Sequence, residues 1–258
     1  MFYEVEIPKK GKGSKNWASA LVVLNPSESR RLLAKATVAL PEILRALESG
    51  TIIIGRGVTN AYVTEELLGV EIEPKAGQTV GMVCQGVTTG NSSPPPCPHH
   101  VIKCGKVVEG ADSKVEISSF GPDDVFIKGG NAIDPEGNAG ILTSSLTAGT
   151  IGMAWPVVTP RGSHLIMPIG LEKLVPSVIE AAKCTGLFRF KYSMGLPARL
   201  TPVVLVIEGE ESRVDEAFDL VKSIKGEPAV TVPDSLYVKS AAEYDYDPRA
   251  QLAKLSGK

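Results

Sequence analysis

The chain has 258 residues, 43% of them hydrophobic, with a formal net charge of −2. This length and apolar content suit one large α/β domain, or one with a small appendage, and supply enough apolar residues for a sizeable core. The mixed charge argues against a phosphate-tracking nucleic-acid binder, and 5% aromatic residues argue against a stacking platform for single strands.

In chain order, the opening MFYEVEIPKKGKGSKNW lacks the apolar core of a signal peptide. SALVVL (19–24) reads as a strand, and residues 25–50 as a helix with apolar Leu32, Leu33, Ala36, Leu40, Ile43, Leu44 and Leu47 on one face. Ser27 is the expected cap, Pro41 the expected break and Gly50 the expected stop. TIII (51–54) has no polar alternation, as in a central parallel strand buried on both faces. A helix over 60–69 follows, ending at Gly69. Residues 79–87 form an apolar run, 88–100 a proline-rich loop, and 100–110 a hairpin or two short strands.

DDVFIKGG (123–130) reads as a second buried strand and SHLIMPIG (163–170) as a third. Between them lie a turn-rich segment (131–142) and a stretch whose small residues suit a helix start (143–162). A helix interrupted near Pro176 is expected over 171–186. Residues 200–232 read strand–helix–strand, with Val214, Ala217, Phe218, Val221 and Ile224 on the apolar side of the helix. The expected organisation is a main α/β ligand-binding domain over 1–196, a small α/β subdomain over 197–239 and a polar extension over 240–258. Strands alternating with helices give the expected class: α/β, Rossmann-like, with a mostly parallel sheet covered on both faces.

No run of about 18 apolar residues occurs, so no membrane span is expected. Four widely spaced cysteines without an export signal fit a reducing compartment, and the expected location is the cytoplasm. The metal-type residues Cys97, His99, His100 and Cys104 match no common zinc spacing, and a surface loop without metal is the preferred reading. One of the two histidines remains a candidate acid–base group reaching the strand ends.

Ligands of parallel α/β sheets bind where the strands end. Two glycine loops fall there. In the first, Gly55 and Gly57 clear room for a sharp turn, and the following helix start presents amide N–H groups to an anion. Arg56, Thr59 and Asn60 add side-chain donors. The second runs Lys128-Gly129-Gly130-Asn131-Ala132-Ile133-Asp134 and continues to Glu136, with Thr150 and Arg161 further along. Arg161 is a candidate anion clamp, and Lys173 a lysine that can face the same site.

Together, SGTIIIGRGVTNAYVTEEL, DVFIKGGNAIDPEGNAGIL and TAGTIG resemble the superfamily of ribose-5-phosphate isomerase, glucosamine-6-phosphate deaminase, the CoA-transferases and the initiation-factor-2B regulatory subunits. The likeness covers roughly residues 20–180. It implies a first loop that holds a phosphate or acyl group, and a second that handles the reacting group through Lys128, Asn131, Asp134 and Glu136. Asn131 stands where the isomerases carry an aspartate; an amide cannot act as a general base. Glu136 lies where the CoA-transferases place a nucleophile, in a differently ordered turn. The implied function is binding of a small anionic metabolite, such as a phosphate ester, CoA thioester or organic acid, with isomerisation or acyl or CoA transfer. The alternatives are a non-catalytic ligand-sensing or assembly protein, or a metal-loop protein. Fold analogy also implies a homo-oligomer.

Overall fold

A computed structural model describes residues 16–79, 81–84, 87–90, 99–142, 147–184 and 203–231. In chain order the elements are β1 (Trp17–Leu24), α1 (Pro26–Val38), α2 (Pro41–Ser49), β2 (Thr51–Ile54), α3 (Val58–Leu68), β3 (Gly81–Cys84), β4 (Val87–Gly90), β5 (His100–Lys103) and β6 (Lys106–Val107). They continue with α4 (Ser113–Glu116), β7 (Val125–Ile127), β8 (Ala132–Ile133), β9 (Ala139–Gly140), α5 (Gly149–Arg161), β10 (His164–Ile166), α6 (Val178–Cys184), β11 (Val203–Glu210) and α7 (Glu211–Ile224).

The class is mixed α/β. The principal sheet has the order β10-β7-β2-β5-β6. β10, β7 and β2 run parallel, while β5 pairs antiparallel with β2 and β6 antiparallel with β5. The sheet is therefore mixed, where the sequence pointed to a mostly parallel one. The reason is the β5–β6 hairpin: Cys104 (φ 46°) and Gly105 (φ 74°) close a two-residue turn and fold the chain straight back. A further consequence is that β5 brings its amino end to the carboxyl ends of β2 and β7, with His100 opposite Ile54.

Both faces of the sheet are covered. Ile52 and Ile54 point into a core with Ala34, Ile43, Ala46, Tyr62 and Val63, contributed by α1, α2 and α3. Ile53 points the other way and packs with Val101, Phe126, Ala154 and Val158, the last two from α5. The two-residue period of a strand makes this division. β10 is an edge strand and only half-buried, short of the fully buried third strand expected.

The helix at residues 25–50 breaks at Pro41, which takes the first position of α2, where a missing N–H costs nothing. Its cap is Asn25, two residues before the expected Ser27. The Asn25 carboxamide oxygen accepts from the N–H groups of Ser27 and Glu28, each at 2.9 Å. The Glu28 carboxylate accepts in return from the Asn25 N–H at 2.8 Å, completing a capping box. The expected interruption near Pro176 is present, between a 3-10 turn at Leu171–Lys173 and α6. Part of the proline-rich loop, Thr88 to Gly90, belongs to β4.

β11 pairs antiparallel with β1 as a separate two-stranded sheet, so the strand near residue 20 joins the strand near residue 207. Val22, Leu24, Val203, Val221 and Ile224 form its core beneath α7. Phe218, expected on the apolar side of α7, is exposed. Residues 227–231 form no strand, and the remainder of the expected second strand and the 240–258 extension lie outside the described residues. Among the described residues, no helix is long and apolar enough to cross a membrane.

Candidate functional site

The carboxyl ends of β2 and β7 are stitched together by backbone. The Gly55 N–H donates to Ile127 O at 2.8 Å, and the Asn60 amide donates to Gly55 O at 2.7 Å and to Ile127 O at 3.4 Å. Gly55 sits in a tight place: a Cβ would lie 3.1 Å from Ile127 O, with Lys128 Cδ at 3.4 Å and Thr150 Cγ2 at 3.6 Å. Gly57 is forced by conformation, at φ 152°, with its N–H on Gln78 O at 2.8 Å. Gly57 has no side chain to cap α3, so the first-turn N–H groups of that helix have no side-chain acceptor at their N-cap. Thr59 is buried in the same turn.

From the opposite face of the sheet, the start of α5 comes beside Gly55. Its N-cap, Ala148, supplies no side-chain cap either, and Thr150 in its first turn lies beside Gly55. Two helix amino ends with no side-chain cap thus face the ends of β2 and β7. Each carries partial positive charge.

Lys128 follows β7 directly and lies on the α5 face, in step with Phe126. Its Nζ donates to Gly129 O at 2.9 Å. Burial pushes its pKa down to about 8. The next carbonyl, Gly130 O, accepts from Lys173 Nζ at 2.7 Å. Burial likewise pushes Lys173 down to about 8; Glu172 opposes that shift, while Arg30 and Lys128 reinforce it. Lys173 therefore does reach the second glycine loop, although it lies far from that loop in sequence.

His99 enters from the start of β5. Its Nδ1 is 2.6 Å from the Ser113 hydroxyl. Burial pushes the imidazole pKa down to about 4, with the positive charges of Arg56 and Lys128 adding to the effect. The ring is therefore neutral near pH 7. His100 is on the other face, as adjacent strand residues must be; burial lowers its pKa as well. Among the described residues, four buried polar atoms around these strand ends lack a partner: Arg56 Nε, Asn60 Oδ1, His99 Nε2 and His100 Nε2. Asn60 itself is 1% exposed, and its Oδ1 lies 3.9 Å from where Gly129 would carry a Cβ.

The structure thus gathers Gly55, Arg56, Gly57, Asn60, Lys128, Gly129, Gly130 and Thr150 at the strand ends. The other candidates are placed differently. Asn131 is exposed; its N–H donates to Gly140 O at 2.8 Å and its Oδ1 accepts from the Leu142 N–H at 2.9 Å. Asp134 is engaged in a turn and a helix start. One oxygen accepts from the Asn138 N–H (2.8 Å), the other from Asn138 Nδ2 (3.0 Å) and the Val178 N–H (2.9 Å). Burial works against ionisation there, but these hydrogen bonds outweigh it and lower the Asp134 pKa. Glu136 is exposed at the tip of the β8–β9 turn, where the Gly137 N–H donates to Asp134 O at 2.9 Å. Arg161 ends α5, the opposite end of the helix from Thr150. Its guanidinium donates to Phe120 O at 3.0 Å and also to Ser118 O.

Among the described residues, no group of three or more metal-type side chains could hold an ion. Cys104 and His100 are separated by the length of β5, and Cys104 is exposed. Cys97 lies outside the described residues. Glu172, Arg30 and Ser113 had no local signal in the sequence: each comes to the neighbourhood from a distant element. The Glu172 carboxylate is buried, 3.7 Å from Arg30 and without a hydrogen bond among the described residues.

No protein-family model, curated protein or solved structure matches this chain. The class that fold and site define is architectural: a mixed α/β protein with cationic and amide donors gathered at the carboxyl ends of β2 and β7.

Proposed function

We propose that the chain binds a small anionic metabolite (a phosphate ester, CoA thioester or organic acid) at the ends of β2 and β7. One observation carries this reading. The amino ends of α3 and α5, both without a side-chain cap, flank Lys128, which forms no carboxylate ion pair among the described residues. Among the described residues Arg56 forms no such pair either, and its Nε is unpartnered. Cationic groups lacking an internal counter-charge, set against helix amino ends, are suited to an anion. The resemblance of both glycine loops to the phosphate- and acyl-binding superfamily supports the same assignment, with a Rossmann-like use of the strand ends.

Inorganic phosphate is the first probe. A saturating amount should raise thermal stability; a hundredfold excess over Kd corresponds to about 2.7 kcal/mol. Arg56→Ala and Lys128→Gln should each weaken phosphate binding by at least about tenfold, equivalent to about 1.4 kcal/mol. No stabilisation by phosphate, sulfate or small carboxylates would overturn the proposal.

A non-catalytic sensing role is the second reading. It is favoured by Asp134 and Glu136, which serve a helix cap and an exposed turn and leave the glycine loops without the expected acid. Binding without turnover across sugar phosphates and acyl-CoAs would select it.

A further inference from the structure

We propose that Lys128 captures a carbonyl group of the bound anion covalently, its amine condensing with an aldehyde or ketone to form an imine. This rests on the anion-binding reading of the same site and adds a chemical class to the ligand: a carbonyl beside the anionic group.

The contrast with Lys75 carries the argument. Lys75 is buried and held as an ammonium by Glu65 at 3.0 Å and Glu73 at 2.8 Å. Burial works against that charge, but the two carboxylates prevail and its pKa is raised. Among the described residues Lys128 has no carboxylate partner, and its Nζ donates to the neutral carbonyl of Gly129. A second amine, Lys173, occupies the adjacent carbonyl of Gly130. Burial, with no carboxylate among the described residues to offset it, makes the Lys128 amine readily deprotonated, and its charge in turn disfavours that of Lys173 on the next carbonyl. A neutral lysine amine is a nucleophile for carbonyl carbon.

The surroundings suit the remaining steps. The amine lone pair attacks the carbonyl carbon; the C–N bond forms as the C=O π pair moves to oxygen, which takes a proton. The carbinolamine then loses the N–H proton and the hydroxyl as water, leaving C=N. His99 is neutral near pH 7, held through Nδ1 by Ser113, with Nε2 unpartnered among the described residues, and it senses the charge of Lys128. Water passes the proton between nitrogen and oxygen, and the uncharged imidazole adds no positive charge beside the amine. The amino ends of α3 and α5 take the anionic group. Lys173 acts as a positioning residue through its charge and its bond to Gly130 O.

Glycolaldehyde phosphate, followed by borohydride reduction and peptide mass spectrometry, tests the proposal. The expected result is one reduced adduct per chain, mapped to Lys128, with a formation rate rising through a midpoint near pH 8. Lys128→Arg should lose the adduct, whereas Lys114→Arg, at an exposed position, should form it at the wild-type rate and keep phosphate binding. Inorganic phosphate should compete with adduct formation. An adduct spread over exposed lysines, or none on Lys128 in the wild-type protein, would overturn the proposal without relying on any variant. Phosphate-dependent stabilisation measured in parallel separates the two ideas. Stabilisation without an adduct removes the imine and leaves the anion site, whereas loss of both removes both.

Discussion

Asn60 shows how one side chain can shape a binding loop and still present an unused atom. Its Nδ2 holds Gly55 O and Ile127 O, while Oδ1 faces Gly129 without a partner among the described residues. Truncation in Asn60→Ala leaves the buried Gly55 carbonyl without its donor. Leaving such a group unsatisfied costs about 1–3 kcal/mol, and urea denaturation should show a loss of that size. The same variant should weaken phosphate stabilisation, because the loop relaxes. The importance of this residue could be read from its place after a glycine turn. Which of its atoms is used and which left over could not, because that depends on β7, some 67 positions along the chain.

Among the elements, α1 begins with a complete capping box that the sequence carries as Asn25-Pro26-Ser27-Glu28. Asn25→Ala should destabilise the protein by about 1 kcal/mol, measured by chemical denaturation. The β1–β11 pair sets this against a case where burial decides. Leu24 is fully buried, whereas Leu21 and its cross-strand partner Val206 are 68% and 66% exposed. Leu24→Ala should cost about 2–5 kcal/mol, and Leu21→Lys should stay within about 0.5 kcal/mol. The run SALVVL looks uniformly apolar in sequence, so the difference between its two faces appears only once β11 and α7 cover one of them.

Across the whole molecule, Arg31 joins three segments. It meets Glu65 at 2.6 Å and Glu66 at 2.9 Å on α3, and Glu227 through two bonds at 3.0 and 2.9 Å beyond α7, with the Tyr62 ring 4.7 Å away. Burial works against the ionised carboxyl of Glu65, but hydrogen bonds from the Ile72 N–H, Arg31 and Lys75 lower its pKa. Glu28 behaves alike: burial opposes its charge, and bonds from the Gly226 N–H, Lys225 and the Asn25 N–H prevail. A lowered folded-state carboxyl pKa contributes stability above the unfolded value and loses it as pH falls. His99 acts earlier in the same direction. Its folded pKa of about 4 lies below the ordinary histidine value of 6.5, so the unfolded chain binds the extra proton between those pH values. Stability should therefore fall on acidification from about pH 6.5 to 4, and further as the carboxylates protonate. Urea unfolding without phosphate from pH 8 to 4 should show this. His99→Asn should make the portion above pH 4 shallower, with His100, whose pKa burial also lowers, keeping part of the slope.

By itself the sequence determined the alternation of strands and helices, the break at Pro41, the interruption near Pro176 and the two glycine loops that follow β2 and β7. Those features are local: they depend on apolar periodicity, proline's missing N–H and the space a glycine leaves. Only the tertiary structure decided the antiparallel β5–β6 hairpin, which carries His99 to the strand ends, and the pairing of β1 with β11. It also decided the duties of the acidic candidates. Asp134 caps α6, Glu136 stands in an exposed turn, and Lys173 joins Lys128 on the second loop. Each of those outcomes depends on partners distant in sequence and on what burial leaves paired or unpaired, and periodicity along a chain carries neither.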